Sequence, residues 1–221
     1  MSFAGSVDPL QLWILTSQVE GKWPLSVLMA PNAGHIMNLH FPTVSPGRLI
    51  DALQALFEAG LICAEVKDRL LPWAGRVELE RWIESDAGYP DEIRLGLTST
   101  GGQVWEKECK ADWSRYLNCQ GCRAVEENDQ LFFPYMHFEG STLSRLAEFA
   151  TRDVPHSGYI RIRMKIRQLR PWKATYWKAL PSGFRISTKY RYGTEESWEL
   201  RLANRGRPNL REFTRWYQDP A

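Results

Sequence analysis

Within YIRIRMKIRQLR (159–170), apolar and basic positions alternate without a break from Ile160 to Arg167. Ile160, Ile162, Met164 and Ile166 fall on one side, and Arg161, Arg163, Lys165 and Arg167 fall on the other. Period two predicts a strand buried on one face. FRISTKYRY (184–192) repeats the pattern, with Phe184, Ile186, Thr188, Tyr190 and Tyr192 inward and Arg185, Ser187, Lys189 and Arg191 outward. WKATYWKAL (172–180) and SWELRLA (197–203) read as further strands, and Pro181-Ser182-Gly183 as a turn. LFFPYMHF (131–138) is another strand, in which Pro134 marks an edge or a bulge. Helical spacing appears in STLSRLAEFATR, capped by Ser141, and in PNLREFTRWYQ, started by Pro208. Strands with a helix at each end predict a mostly antiparallel α+β unit.

The first half follows a different rhythm. Asp8-Pro9 is a helix start, an N-cap carboxylate before a proline, and the apolar spacing after it ends near Gly21. A second short helix runs from Pro24 through Met29 and is stopped by PNAG. A third begins at Ser45-Pro46; its apolar positions 49, 50, 53, 56 and 57 have helical spacing and Gly60 closes it. LICAEVKD (61–68) and EIRLGLT (92–98) are strand-like, separated by a long excursion in which RVELERWIESD reads as an extra helix. TSTGGQVWEKECKADWSRYL is the last helix of this half.

That order of three helices, strand, wing, strand and helix resembles a winged helix-turn-helix. LFEAGLI followed by RLGLTSTGG is similar to the L-x-x-G-L-I … Y-x-L-T-x-x-G pattern of PadR- and MarR-like regulators, over about residues 8–116. The resemblance implies a DNA-reading role for the third helix, whose outer positions offer Arg48, Asp51 and Gln54. Arg48 and Gln54 are therefore the candidate DNA-facing residues.

Charge changes that picture. Residues 155–221 carry 15 Lys and Arg against 5 Asp and Glu, a balance of +10, whereas residues 1–154 carry 13 against 21, a balance of −8. Phosphate contacts supply most nonspecific DNA affinity, and an acidic surface opposes them. The asymmetry suggests an acidic winged-helix-like unit over 1–118 with a long wing insertion. A basic α+β sheet unit over 124–221 follows, after a break near NCQGCRAVEENDQ. The winged helix then serves better as a scaffold for protein contact than as a DNA reader.

Catalytic and metal signatures are sparse. There is no phosphate-cradling glycine loop: Gly101-Gly102 starts a helix but lacks the lysine and glycine spacing of a P-loop. The histidines (His35, His40, His137 and His156) are scattered. Cys119 and Cys122 form a CxxC, but Cys109 and His137 are the only nearby candidates to complete a zinc site. The pair reads as a loop at a helix end. No cofactor and no enzymatic activity are expected.

The chemistry instead lies on a face shared by Arg161, Arg163, Lys165, Arg167, Arg185, Lys189 and Arg191. Like charges so crowded suit an acidic partner, a protein rather than a nucleic acid, because no RNP-like aromatic motif accompanies them. The start of the chain lacks the basic n-region of a signal peptide and no apolar run reaches membrane-spanning length, so a cytoplasmic, non-membrane protein is expected. A bacterial immunity or antitoxin-like neutraliser fits this profile. The alternative is a winged-helix transcriptional regulator whose back unit senses a ligand or forms a homodimer.

Overall fold

The computed structural model describes residues 7–30, 33, 44–73, 75–85, 92–120, 125–127, 130–150 and 159–192. Helices and antiparallel sheets are mixed, which makes the fold α+β. The expected strand at 197–203 and helix at 208–218 lie outside the described residues, as do His35, His40 and His156. The chain divides into two compact units, one from Met1–Ala111 and Thr175–Lys178, the other from Asp112–Ala174 and Ala179–Ala221. The division falls ahead of the sequence break at 118–130.

In the first unit, α1 (Pro9–Ser17) opens with a capping box: the Asp8 carboxylate accepts from the Leu10 and Gln11 amides, and the Gln11 side chain accepts from the Asp8 amide. It ends sooner than Gly21, at Gln18, whose side-chain oxygen accepts from the Trp23 amide. Trp23–Pro24 forms β1, and α2 (Leu25–Met29) follows directly.

Helix α3 (Pro46–Glu58) is capped by the Ser45 hydroxyl and closed by Gly60 at φ +66°, a conformation glycine adopts without a Cβ clash. Its Leu49, Leu53 and Leu56 stripe is buried, each side chain contributing about 1.5–3 kcal/mol. Strands β2 (Ile62–Val66) and β3 (Arg69–Leu71) form a hairpin through Lys67 and Asp68, both at positive φ as a two-residue turn requires.

The excursion holds α4 (Arg76–Ser85), as its periodicity predicts. Leu79 and Trp82 are buried, and Trp73 stacks on Phe57 of α3 with ring centroids 4.6 Å apart. β4 (Arg94–Leu97) completes an antiparallel sheet of order β1-β4-β2-β3, and α5 (Ser99–Cys109) packs on α1. The expected continuation of α5 through Tyr116 is corrected: Lys110 turns left-handed at φ 49° and stops the helix. Trp113 and Tyr116 belong to the second unit, where Tyr116 packs on Trp113 and on Trp172.

The second unit is built on one antiparallel sheet of order β5 (Leu117–Gln120), β7 (Gln130–Gly140), β11 (Gly183–Tyr192) and β8 (Tyr159–Leu169). β6 (Val125–Glu127) also pairs with β7. Cys119 therefore lies in a strand, not in a loop at a helix end, and Cys122 lies outside the described residues. Pro134 falls where β7 changes partners: β6 pairs with its first residues and β5 with its last, and the register to β11 slips there. That is the bulge the proline predicted. Helix α6 (Leu143–Glu148) covers the apolar face, joining Leu146, Phe149 and Ala150 to Phe138 and Ile186 in one buried cluster. Ser141 does not cap it: the N-cap position is Thr142, which makes no side-chain cap hydrogen bond, and the Ser141 hydroxyl donates to the Trp113 carbonyl.

The run at 172–180 is not one strand. It divides into β9 (Trp172–Lys173) and β10 (Ala179–Leu180), paired as a hairpin, and Thr175–Lys178 at the tip belong to the first unit. There Tyr176 Oη donates to the Gln18 carbonyl at 2.7 Å and accepts from the Leu97 amide. The Trp177 indole donates to the Val19 carbonyl at 2.9 Å and packs edge-on against Trp105, while Lys178 pairs with Glu106.

Candidate partner-binding face

The alternation of 163–167 and 184–189 becomes, in the sheet, an apolar face on which Met164, Phe184 and Ile186 join the cluster with α6, and a charged face opposite. The register sets Arg185 against Arg167, Ser187 against Lys165 and Lys189 against Arg163 across β11 and β8. It also sets Glu139 and His137 of β7 against Arg185 and Ser187. Two of these cross-strand pairs are like-charged, each costing up to about 1 kcal/mol by the usual range for opposed residues.

Only part of that charge is matched locally. Glu139 is buried, 3% exposed, and accepts from Arg185 Nε at 2.6 Å and from the Trp172 indole at 2.9 Å. Trp172 reaches it because Gly183 has no side chain; a Cβ there would stand 2.5 Å from the indole. His137 Nδ1 and Ser187 Oγ are hydrogen-bonded at 2.9 Å. By contrast, Arg163, Lys165 and Arg167 are exposed, and no carboxylate pairs with them among the described residues. Among the described residues no strand pairs with β8 on its other side, so within them the three cations stand on an edge strand.

The row is shorter than the sequence predicts. The register slips between Lys189 and Tyr190, so Arg161 is opposite Tyr190 and Arg191 is opposite Ile160. The extra residue lies in β8 between Arg163 and Arg161, so neither Arg161 nor Arg191 has a basic residue opposite it. Arg163, Lys165, Arg167, Arg185 and Lys189 are brought together. Glu139 and Trp172 escaped the sequence reading. The one signal was an acidic residue just past the end of the predicted strand LFFPYMHF.

The candidate DNA-facing residues occupy different ground. Arg48 is exposed and borders a shallow hollow that also takes in Asp8 and Asp51. Asp51 is paired with Arg76 of α4, and Gln54 Nε2 donates to Glu58 at 2.7 Å. Helix α4 therefore holds on to the outer side of α3, where a groove reader needs open access. The Asp51 hydrogen bond, with that to Glu80, raises the Arg76 guanidinium above its ordinary value.

Elsewhere in the first unit, the Cys63 thiol donates to the Gly96 carbonyl, and burial pushes it up, away from the thiolate, although nearby Lys22 pulls it down. Burial also pushes up Cys109. Lys22 is paired with the buried Glu65 and stands over the Tyr176 ring. Among the described residues no group of three or more His, Cys, Asp or Glu is gathered to hold a metal ion, and no helix is long and apolar enough to cross a membrane. No protein-family model, no curated protein and no solved structure matches the chain.

Proposed function

We propose that this chain is a non-catalytic binder of an acidic macromolecule, a protein partner, held at the Arg163–Lys165–Arg167 row of β8. The observation that carries this reading is the contrast on one sheet face. The buried carboxylate, Glu139, is already taken by Arg185 and Trp172, while the three exposed cations at the edge have no carboxylate among the described residues. Clustered like charge is a standing cost that an opposite-charged partner relieves, and it steers association. A neutraliser of the immunity or antitoxin kind acts by such stoichiometric occupancy, and the chain is assigned to that class.

The first unit is read as a winged-helix-like scaffold. Its support is the sheet order β1-β4-β2, with β1 between α1 and α2 and with α3 leading into β2. The Arg76–Asp51 pair and the packing of α4 on α3 favour a scaffold over a DNA reader.

The test is binding of the full chain to a labelled polyglutamate probe and to a duplex oligonucleotide at moderate salt. Polyglutamate is expected to bind, to survive competition by the oligonucleotide, and to be lost in Arg163→Glu/Lys165→Glu. Duplex binding that disappears in Arg48→Glu, with no polyglutamate binding, would instead establish the regulator reading.

A further inference from the structure

We infer that the acidic partner binds as an extended segment that adds to the sheet along the outer edge of β8. This rests on the acidic-partner reading above and fixes the partner's backbone as well as its charge.

The first observation is the edge itself. β8 is eleven residues long and pairs with β11 on one side, and among the described residues no strand pairs with it on the other. An edge strand presents a row of backbone N–H and C=O groups to whatever comes alongside.

The second is the exposure of both faces of that strand. Lys165, Ile166, Arg167 and Gln168 are all exposed, and Ile166 is 49% exposed. The row that crosses the sheet from Ile166 continues to Ile186 and Phe138, which are 0% and 1% exposed. Among the described residues the apolar layer therefore ends at β8, with the large Ile166 side chain still exposed. One more strand, carrying an apolar residue beside Ile166, would extend it.

The third is the spacing of charge. Arg163, Lys165 and Arg167 occupy alternate positions, roughly 6.5–7 Å apart along a strand. The same repeat separates alternate residues of any strand paired to β8, so carboxylates at every second position meet the cations one for one at cross-strand distance. The two demands together define the occupant: Asp or Glu at alternate positions with apolar residues between. A nucleic acid answers only the charge. It has no peptide groups for the edge and leaves Ile166 uncovered.

The alternative is that the cations guard the edge against pairing. The full chain is titrated into a fluorescein-labelled peptide of about eight residues alternating Glu and Val. Two further peptides of unchanged charge carry N-methyl groups on the odd or on the even residues, and a single-stranded oligonucleotide completes the set. Because a strand bonds its neighbour through alternate residues, one methylated series should bind about tenfold more weakly or worse and the other within about twofold of the parent. If both methylated peptides bind like the parent, strand addition is overturned while the acidic-partner reading stands. If the oligonucleotide alone binds, or nothing binds, both readings fall. The methyl groups are on the peptide, so folding of the protein is unaffected.

Discussion

A Cβ built on Gly102 would stand 2.2 Å from the Trp177 ring. The same helix start meets the Leu61 carbonyl so closely that a Cβ on Gly101 would lie 1.8 Å from its oxygen. The Gly-Gly pair that superficially suggests phosphate chemistry is a packing device, one glycine for the strand backbone and one for an indole. Gly102→Ala is expected to destabilise the chain by about 1–3 kcal/mol through overpacking. Gly47→Ala, with nothing within 4 Å of the new methyl, is the control and should be neutral or slightly stabilising. Urea midpoints of the two variants check this.

Tyr176 gives the first unit an alkaline limit. Burial pushes its hydroxyl well above the ordinary tyrosine value, with the Leu97 amide pulling the other way. The folded value exceeds the unfolded one, so the stability is fully present below about pH 10, the unfolded tyrosine value, and is lost as pH rises above it. Urea midpoints should therefore fall between pH 9 and pH 11, on the same reference scale, and fall less steeply in Tyr176→Phe. Equal slopes for the two proteins would contradict the burial argument.

Glu139 is the hub of the charged face and it is buried. Glu139→Ala strands the Trp172 indole and one edge of Arg185, and should cost about 2–3 kcal/mol after allowing for the partial exposure of Arg185. Asp51→Ala, which breaks the exposed pair with Arg76, should leave the thermal midpoint unchanged. Thermal unfolding followed by circular dichroism distinguishes the two.

Binding and stability should move in opposite directions at Arg167. It stands directly across from Arg185, so Arg167→Glu turns a like-charged pair into an opposite-charged one and should stabilise the fold by some tenths of a kcal/mol, up to about 1. The same substitution should weaken binding of the alternating Glu-Val peptide. Loss of stability in that variant would show that the row is not under repulsion.

How far the sequence could be read depended on how local each cause was. Asp8-Pro9 and Ser45-Pro46 announce their helices because a cap acts within one turn. The two alternating runs announce a sheet with one charged face because period two is a property of the strand itself. Three things were not local. WKATYWKAL reads as a strand, but Tyr176 and Trp177 are drawn into the first unit by the Gln18 and Val19 carbonyls. Arg161 and Arg191 belong to the alternating runs, but the extra residue of β8 between Arg163 and Arg161 changes what stands opposite them, which is visible only once the partner strand is in place. The buried Glu139 is one acidic letter in the sequence, and only the register that brings Arg185 beside it gives it a role. The basic row was legible; which of its members stay exposed was not.

The β8 cations are proposed to hold an acidic protein. The most direct measurement is affinity capture from the native host with the wild-type chain and Arg163→Glu/Lys165→Glu side by side, with and without nuclease. The bound material is quantified for stoichiometry and for absorbance at 260 against 280 nm. One stoichiometric acidic protein is expected on the wild type, unaffected by nuclease and absent from the variant. Capture that is equal on both chains, or that vanishes with nuclease, would contradict it.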